Sequence, residues 1–101
     1  MYIRTKNGVY EALSEYEPSE YTKIVYGSKV ISQSENIEEL CDRFVVIDKE
    51  TKEVISIVSF LAYAKLWSYC KYNIYGAIWT DFGLKYVARL TEDGGVELIC
   101  T

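Results

Sequence analysis

Apolar and polar positions alternate along much of this chain with a period of two, and the alternation breaks at turn-forming residues. The first run is Tyr2 to Thr5. Lys6-Asn7-Gly8 interrupts it, and a second run extends from Val9 to Tyr16, with Val9, Glu11, Leu13 and Glu15 on one face and Tyr10, Ala12, Ser14 and Tyr16 on the other. Such patterning predicts two strands. Asn-Gly between them predicts a hairpin, because both residues tolerate positive φ. Glu17-Pro18-Ser19-Glu20 reads as a loop, since Pro18 cannot donate to a ladder. Tyr21 to Tyr26 and Lys29 to Gln33 are again rich in β-formers; the Gly27-Ser28 break predicts two strands, or one strand bulged at Gly27.

The period then changes. Asn36 followed three residues later by Glu39 resembles a capping box and predicts a short helix from Ile37 to Asp42, with Ile37, Leu40, Cys41 and Phe44 turned inward. Arg43 to Ile47 and Glu53 to Val58 flank the polar run Asp48 to Lys52 and predict a second hairpin. After Ser59, a candidate N-cap, Phe60, Tyr63, Ala64, Trp67 and Cys70 or Lys71 follow 3-4 spacing, which predicts an amphipathic helix from Phe60 to about Tyr72. Gly76 to Asp81, Leu84 to Thr91 and Val96 to Thr101 predict a closing three-stranded meander. Its turns fall at Asp81-Phe82-Gly83 and Glu92-Asp93-Gly94-Gly95.

The expected fold is therefore α+β: antiparallel hairpins, one short and one longer helix, and a C-terminal meander. The high strand content suggests a curved sheet or half-open barrel. At 101 residues the expectation is a single domain, 1–101. Three scattered cysteines, Cys41, Cys70 and Cys100, fit buried free thiols in a reducing cytosol. No apolar core follows the charges at the N-terminus, as a signal peptide requires, and no run approaches the ~20 apolar residues that span a bilayer. A cytoplasmic protein with no membrane partner is expected.

The chain has no histidine, which removes the commonest general base at neutral pH and the commonest transition-metal ligand. Neither a Cys-His nucleophile nor a Ser-His-Asp arrangement can exist. The carboxylate pairs Glu38-Glu39, Asp48/Glu50 and Glu92-Asp93 lie on a helix surface or in turns, without the contrasting environments that acid–base catalysis needs. The glycine pairs open no helix and match no phosphate-binding motif. A non-enzyme with no cofactor or metal is expected.

Charge and aromatic content sharpen this. Nine aromatics fall between Phe60 and Tyr86. Phe60 to Arg89 holds Lys65, Lys71, Lys85 and Arg89 against the single acid Asp81, while the remaining residues carry seven cations and fourteen acids. Tyr69, Tyr72 and Tyr75 recur at three-residue spacing ahead of Trp79. Core packing or a contact with a protein partner, including a second copy, is the favoured reading of these four. Stacking on single-stranded nucleic acid beside the four cations is a further alternative, but the overall acidic balance argues against it. The acidic remainder offers another: an acidic side of Glu11 to Glu20 and Glu35 to Asp42, with Glu35, Glu38, Glu39 and Asp42 at its centre, mimicking nucleic-acid phosphates to inhibit a host nuclease or defence complex.

Three segments carry a resemblance: Met1-Tyr2-Ile3-Arg4-Thr5-Lys6-Asn7-Gly8-Val9-Tyr10-Glu11, Asn36-Ile37-Glu38-Glu39-Leu40-Cys41-Asp42-Arg43-Phe44-Val45, and Tyr75-Gly76-Ala77-Ile78-Trp79-Thr80-Asp81-Phe82-Gly83-Leu84-Lys85-Tyr86-Val87-Ala88. The chain resembles small proteins of phages and prophages of low-GC Gram-positive bacteria, a group with no activity attached. The resemblance implies a phage or prophage origin in a bacterial cytosol and no catalytic residue. The combined expectation is a non-catalytic accessory protein that binds a macromolecule through an aromatic surface.

Overall fold

The structure, a computed structural model, describes residues 1–11 and 30–99. It comprises two compact units, Met1–Leu40 and Cys41–Thr101. Both are built on antiparallel sheets with little helix, as the alternation predicts. The expectations for Ala12 to Lys29, including the Pro18 loop and the Gly27 break, lie outside the described residues, as does the end of the last strand.

The first unit holds β1 (Tyr2–Arg4), β2 (Val9–Glu11) and β3 (Ser32–Ser34) in the order β2-β1-β3. The expected hairpin joins β1 to β2, but its turn differs. The Thr5 N–H donates to Gly8 O at 2.9 Å, so Lys6 and Asn7 form the tip. Among the described residues positive φ occurs at Lys52, Gly83 and Gly94, and not at Asn7 or Gly8. The Thr5 hydroxyl, fully buried, accepts from the Asn7 N–H at 3.2 Å and stabilises the turn in place of left-handed backbone. The third strand lies later than the Lys29 to Gln33 run because pairing sets its limits: Arg4 faces Ser32 and Tyr2 faces Ser34. Asn36 caps the next turn as expected, its Oδ1 accepting from the Glu38 N–H at 3.1 Å. That turn is a single 3₁₀ turn, Ile37–Leu40, with Ile37 and Leu40 buried.

The second unit is an open five-stranded sheet of order β5-β4-β6-β7-β8, from β4 (Arg43–Asp48), β5 (Val54–Val58), β6 (Tyr72–Thr80), β7 (Gly83–Leu90) and β8 (Val96–Leu98). The second hairpin and the meander are both present, the meander's first strand starting four residues earlier than expected. Asp48 closes the β4–β5 turn: Oδ1 accepts from the N–H groups of Glu50 (2.8 Å) and Thr51 (3.0 Å). These bonds hold its carboxyl below the ordinary range. One face of the sheet carries Phe44, Val46, Ile74, Ile78, Ala88 and Leu90, all buried. Gly76 lies among them because Cys41 occupies the space a side chain would need; a Cβ there would stand 2.6 Å from Cys41 Sγ.

The longer helix expected from Phe60 to Tyr72 is a single turn, α1 (Leu61–Ala64). Leu61 and Ala64 are buried, whereas Phe60, Tyr63 and Leu66 are exposed, so the 3-4 spacing does not mark one inward stripe. Phe60, not Ser59, is the N-cap, and it makes no side-chain cap bond. A segment rich in Tyr, Trp, Ser and Cys has weak helix propensity, and short uncapped helices are marginal without packing. Pairing completes the change. All six residues of β4 find partners on β6, from Arg43 with Ala77 to Asp48 with Tyr72, which draws the strand back to Tyr72 instead of Gly76.

Candidate functional site

Strand alternation puts Tyr75, Ala77 and Trp79 of β6 on the face opposite Ile74, Gly76 and Ile78. A register shift against β7 falls between Gly76 and Ala77, so Ala77 faces Tyr86 and Trp79 faces Leu84. The shift sets Tyr86 diagonal to Tyr75, and their rings stack with centroids 5.4 Å apart and planes at 17°. Trp79, at the far end of the row, is 53% exposed.

Trp79 is exposed but held. Its backbone N–H donates to Asp42 Oδ2 at 2.7 Å, and the Asp42 N–H donates to Ala77 O at 2.8 Å. Arg43 donates to Asp42 O at 2.7 Å and places its guanidinium 6.0 Å from the Trp79 ring centroid. The adjoining turn is pinned as well. Thr80 Oγ1 donates to Gly83 O at 2.8 Å and accepts from the Phe82 N–H at 3.2 Å, while Gly83 supplies φ 105°. Phe82 stands fully in solvent on this turn. Trp79, Phe82, Leu84 and Arg43 thus form an aromatic tip on a fixed hairpin, continued along the sheet by Tyr75 and Tyr86.

The four tyrosine and tryptophan positions singled out from sequence do not make one surface. Tyr75 and Trp79 share a face. Tyr69 and Tyr72 lie at the opposite end of β6, roughly 23 Å from Trp79 for seven residues at 3.3 Å each. There they line a pocket of about 190 Å³ with Lys49, Asn73, Arg89, Leu90, Thr91 and Glu92. Lys49 Nζ donates to Tyr69 O at 2.6 Å. Burial, and then the nearby Glu92 charge, push the Tyr69 phenol up. Arg43, Phe82 and Leu84 of the tip, and Tyr86 beside it, lie outside the set that the sequence pattern selects. A phenylalanine inside a recognised Asp-Phe-Gly turn is a legible sign of exposure; the arrival of Arg43 depends on long-range pairing.

The four cations are spread out, with Arg89 beside these rings, opposite Tyr75 in the ladder and in the wall of the Tyr69–Tyr72 pocket. Lys65 and Lys71 are exposed in the α1 region, Lys85 pairs with Ile78 in the ladder, and Arg89 binds Glu97 through Nε (2.9 Å) and Nη2 (2.7 Å). The acidic candidates divide too. In the first unit Glu35 lies 3.6 Å from the N-terminal amine, Glu39 accepts from the Ser34 hydroxyl at 2.6 Å, and Glu38 is exposed. In the second, the Asp42 carboxylate is engaged by the Trp79 backbone. Cys41 is half-buried and Cys70 exposed, which corrects the expectation of uniformly buried thiols: the α1 segment that was to bury Cys70 is a surface turn.

A second apolar surface lies along β5 and α1. Val54, Ile55, Ile57, Phe60, Tyr63 and Leu66 are all exposed, with Phe60 and Tyr63 edge to face at 5.9 Å. Among the described residues no helix is long and apolar enough to cross a membrane, and no group of Cys, Asp and Glu is placed to hold a metal ion. No protein-family model, no curated protein and no solved structure matches this chain.

Proposed function

We propose that this chain is a non-catalytic accessory protein of phage type that works in the cytosol of a bacterial host by binding another protein through the aromatic tip of the β6–β7 hairpin. One observation carries the reading: Trp79 and Phe82 stand in solvent while their backbone and flanking groups are fixed by Asp42, Arg43, Thr80 and Gly83. Aromatics carried on a fixed backbone have less chain freedom to lose on binding, and tryptophan and arginine are enriched at the energetic centre of interfaces. The nucleic-acid alternative has less support, because Arg89 is paired with Glu97 and Lys85 lies in the ladder opposite Ile78. The acidic-mimic alternative loses Asp42 to the Trp79 backbone.

The test compares the wild-type chain with Trp79→Ala plus Phe82→Ser as bait in a host lysate read by mass spectrometry. Any candidate is then re-measured with purified protein by calorimetry. A partner bound by wild type should lose at least tenfold in affinity to the double variant while the variant remains folded. Undiminished binding would contradict the assignment of this surface.

A further inference from the structure

We propose that β5 is a self-pairing edge: two copies of the chain join antiparallel along this strand, extending two five-stranded sheets into one of ten. The inference is independent of the aromatic tip, which lies on β6 and β7. Among the described residues β5 has one strand neighbour, β4, and its other side pairs with none of them. An exposed edge invites strand addition unless it is blunted. Here the blunting is slight. Lys52 and Glu53 precede the strand, and one register shift places Ile55 opposite no β4 residue. Ser56, Ile57 and Val58 remain in continuous register with Val46, Val45 and Phe44.

The sequence of the edge selects the occupant. Val54-Ile55-Ser56-Ile57-Val58 reads the same in both directions. A two-fold interface must be self-complementary, each residue meeting the partner of its own partner. Antiparallel pairing centred on Ser56 satisfies this at the middle of the strand, where Ile55 meets Ile57 and Ser56 meets itself. The eleven residues from Val54 to Ala64 carry no charge at all. Val54, Ile55, Ile57, Phe60, Tyr63 and Leu66 supply the apolar surface beside the ladder. At roughly 150–250 Å² for a whole aromatic side chain, the exposed parts of these six come to several hundred Å² per copy. That approaches the ~800 Å² each partner buries in a standard interface.

The register makes the test specific. Ile55→Lys with Ile57→Glu sets a lysine opposite a glutamate twice across the two-fold axis. Ile55→Lys with Ile57→Lys sets lysine opposite lysine twice. Both pairs alter exposed positions. Sedimentation at micromolar concentration should show a dimer for wild type and for the Lys/Glu variant, and a folded monomer for the Lys/Lys variant. A wild-type chain that stays monomeric at the highest attainable concentration overturns the proposal, leaving the edge for a strand of another protein. Equal behaviour of the two double variants overturns the register. Should either variant fail to fold, Ser56→Cys in a Cys70→Ser, Cys100→Ser background reads the same geometry. Directly opposed residues in an antiparallel pair sit about 4.5–5.5 Å apart at Cα, within disulfide range. Mild oxidation should give a covalent dimer, and its absence would count against the pairing.

Discussion

Strands β4 and β5 are the two arms of one hairpin, built from much the same side chains, and they end in opposite environments. In β4, Phe44, Val45 and Val46 are at most 2% exposed. In β5, Val54, Ile55 and Ile57 are 41–54% exposed. Local propensity is similar, so it is not the cause. β4 lies between β5 and β6 and has both edges paired, whereas among the described residues β5 has β4 alone as a strand neighbour. Composition specifies that a segment will be a strand; neighbours in the sheet decide whether its apolar groups serve folding or remain for contact. The same division runs along β6, where Ile74 and Ile78 are buried and Trp79, on the other face, is held in the open by Asp42 and Arg43.

The largest expected difference separates the two arms directly. Phe44→Ala should destabilise the protein by about 3–5 kcal/mol, from lost burial and the cavity left behind. Ile57→Ala should change monomer stability by less than about 0.5–1 kcal/mol, as surface substitutions do. Urea unfolding of both variants at low concentration checks the contrast, and equal losses would break it. A smaller effect comes from the crowded point of the buried face. Gly76→Ala puts a methyl group against Cys41 Sγ and should cost about 1–3 kcal/mol. Adding Cys41→Ala should restore part of that, seen as a non-additive double-mutant cycle. Smaller again is Trp79→Ala, where the exposed ring and its contact with Arg43 account for about 1 kcal/mol. The melting temperature should fall by only a few degrees; a loss like that of Phe44→Ala would make Trp79 a core residue.

The smallest effect concerns pH. Asp48 and Asp93 both have carboxyls lowered in the folded state, Asp48 chiefly by the Thr51 and Glu50 backbone N–H groups and Asp93 by the Thr91 hydroxyl and the Gly95 N–H. A lowered folded value means the stabilisation is present above the ordinary value of 3.8 and is lost as pH falls through the folded one. Stability should therefore drop below about pH 4, and Asp48→Asn should flatten that acid limb while leaving the contrast between β4 and β5 unchanged.

What was legible in the sequence was local. The β4–β5 hairpin, the Asp81-Phe82-Gly83 turn, the meander and the Asn36 cap all follow from residues within a few positions of one another, and all are present. What was not legible depends on partners far along the chain. The helix expected after Ser59 is one turn: weak helix formers follow Lys65, and a turn closed on Ser68 O leads the chain into β6. Three-residue spacing groups Tyr69 and Tyr72 with Tyr75 ahead of Trp79, and that grouping dissolves once the segment from Tyr72 is a strand. Tyr86 reaches Tyr75 only through a register shift, for which the sequence carries no signal. The exposure of β5 follows from its place at the edge, which periodicity cannot reveal.

Amide hydrogen exchange, followed by mass spectrometry at nanomolar and at high micromolar protein, tests the contrast between the two arms most directly. β4 and β6 should be strongly protected at both concentrations, while β5, whose inward-facing amides already bond to β4, should gain protection of its outward-facing amides only at the higher one, as its outer edge finds a second copy. If β5 is as protected as β4 at the greatest dilution, its edge is already covered within the chain. If its protection does not rise at the highest concentration, it does not self-pair. Either result would contradict the account.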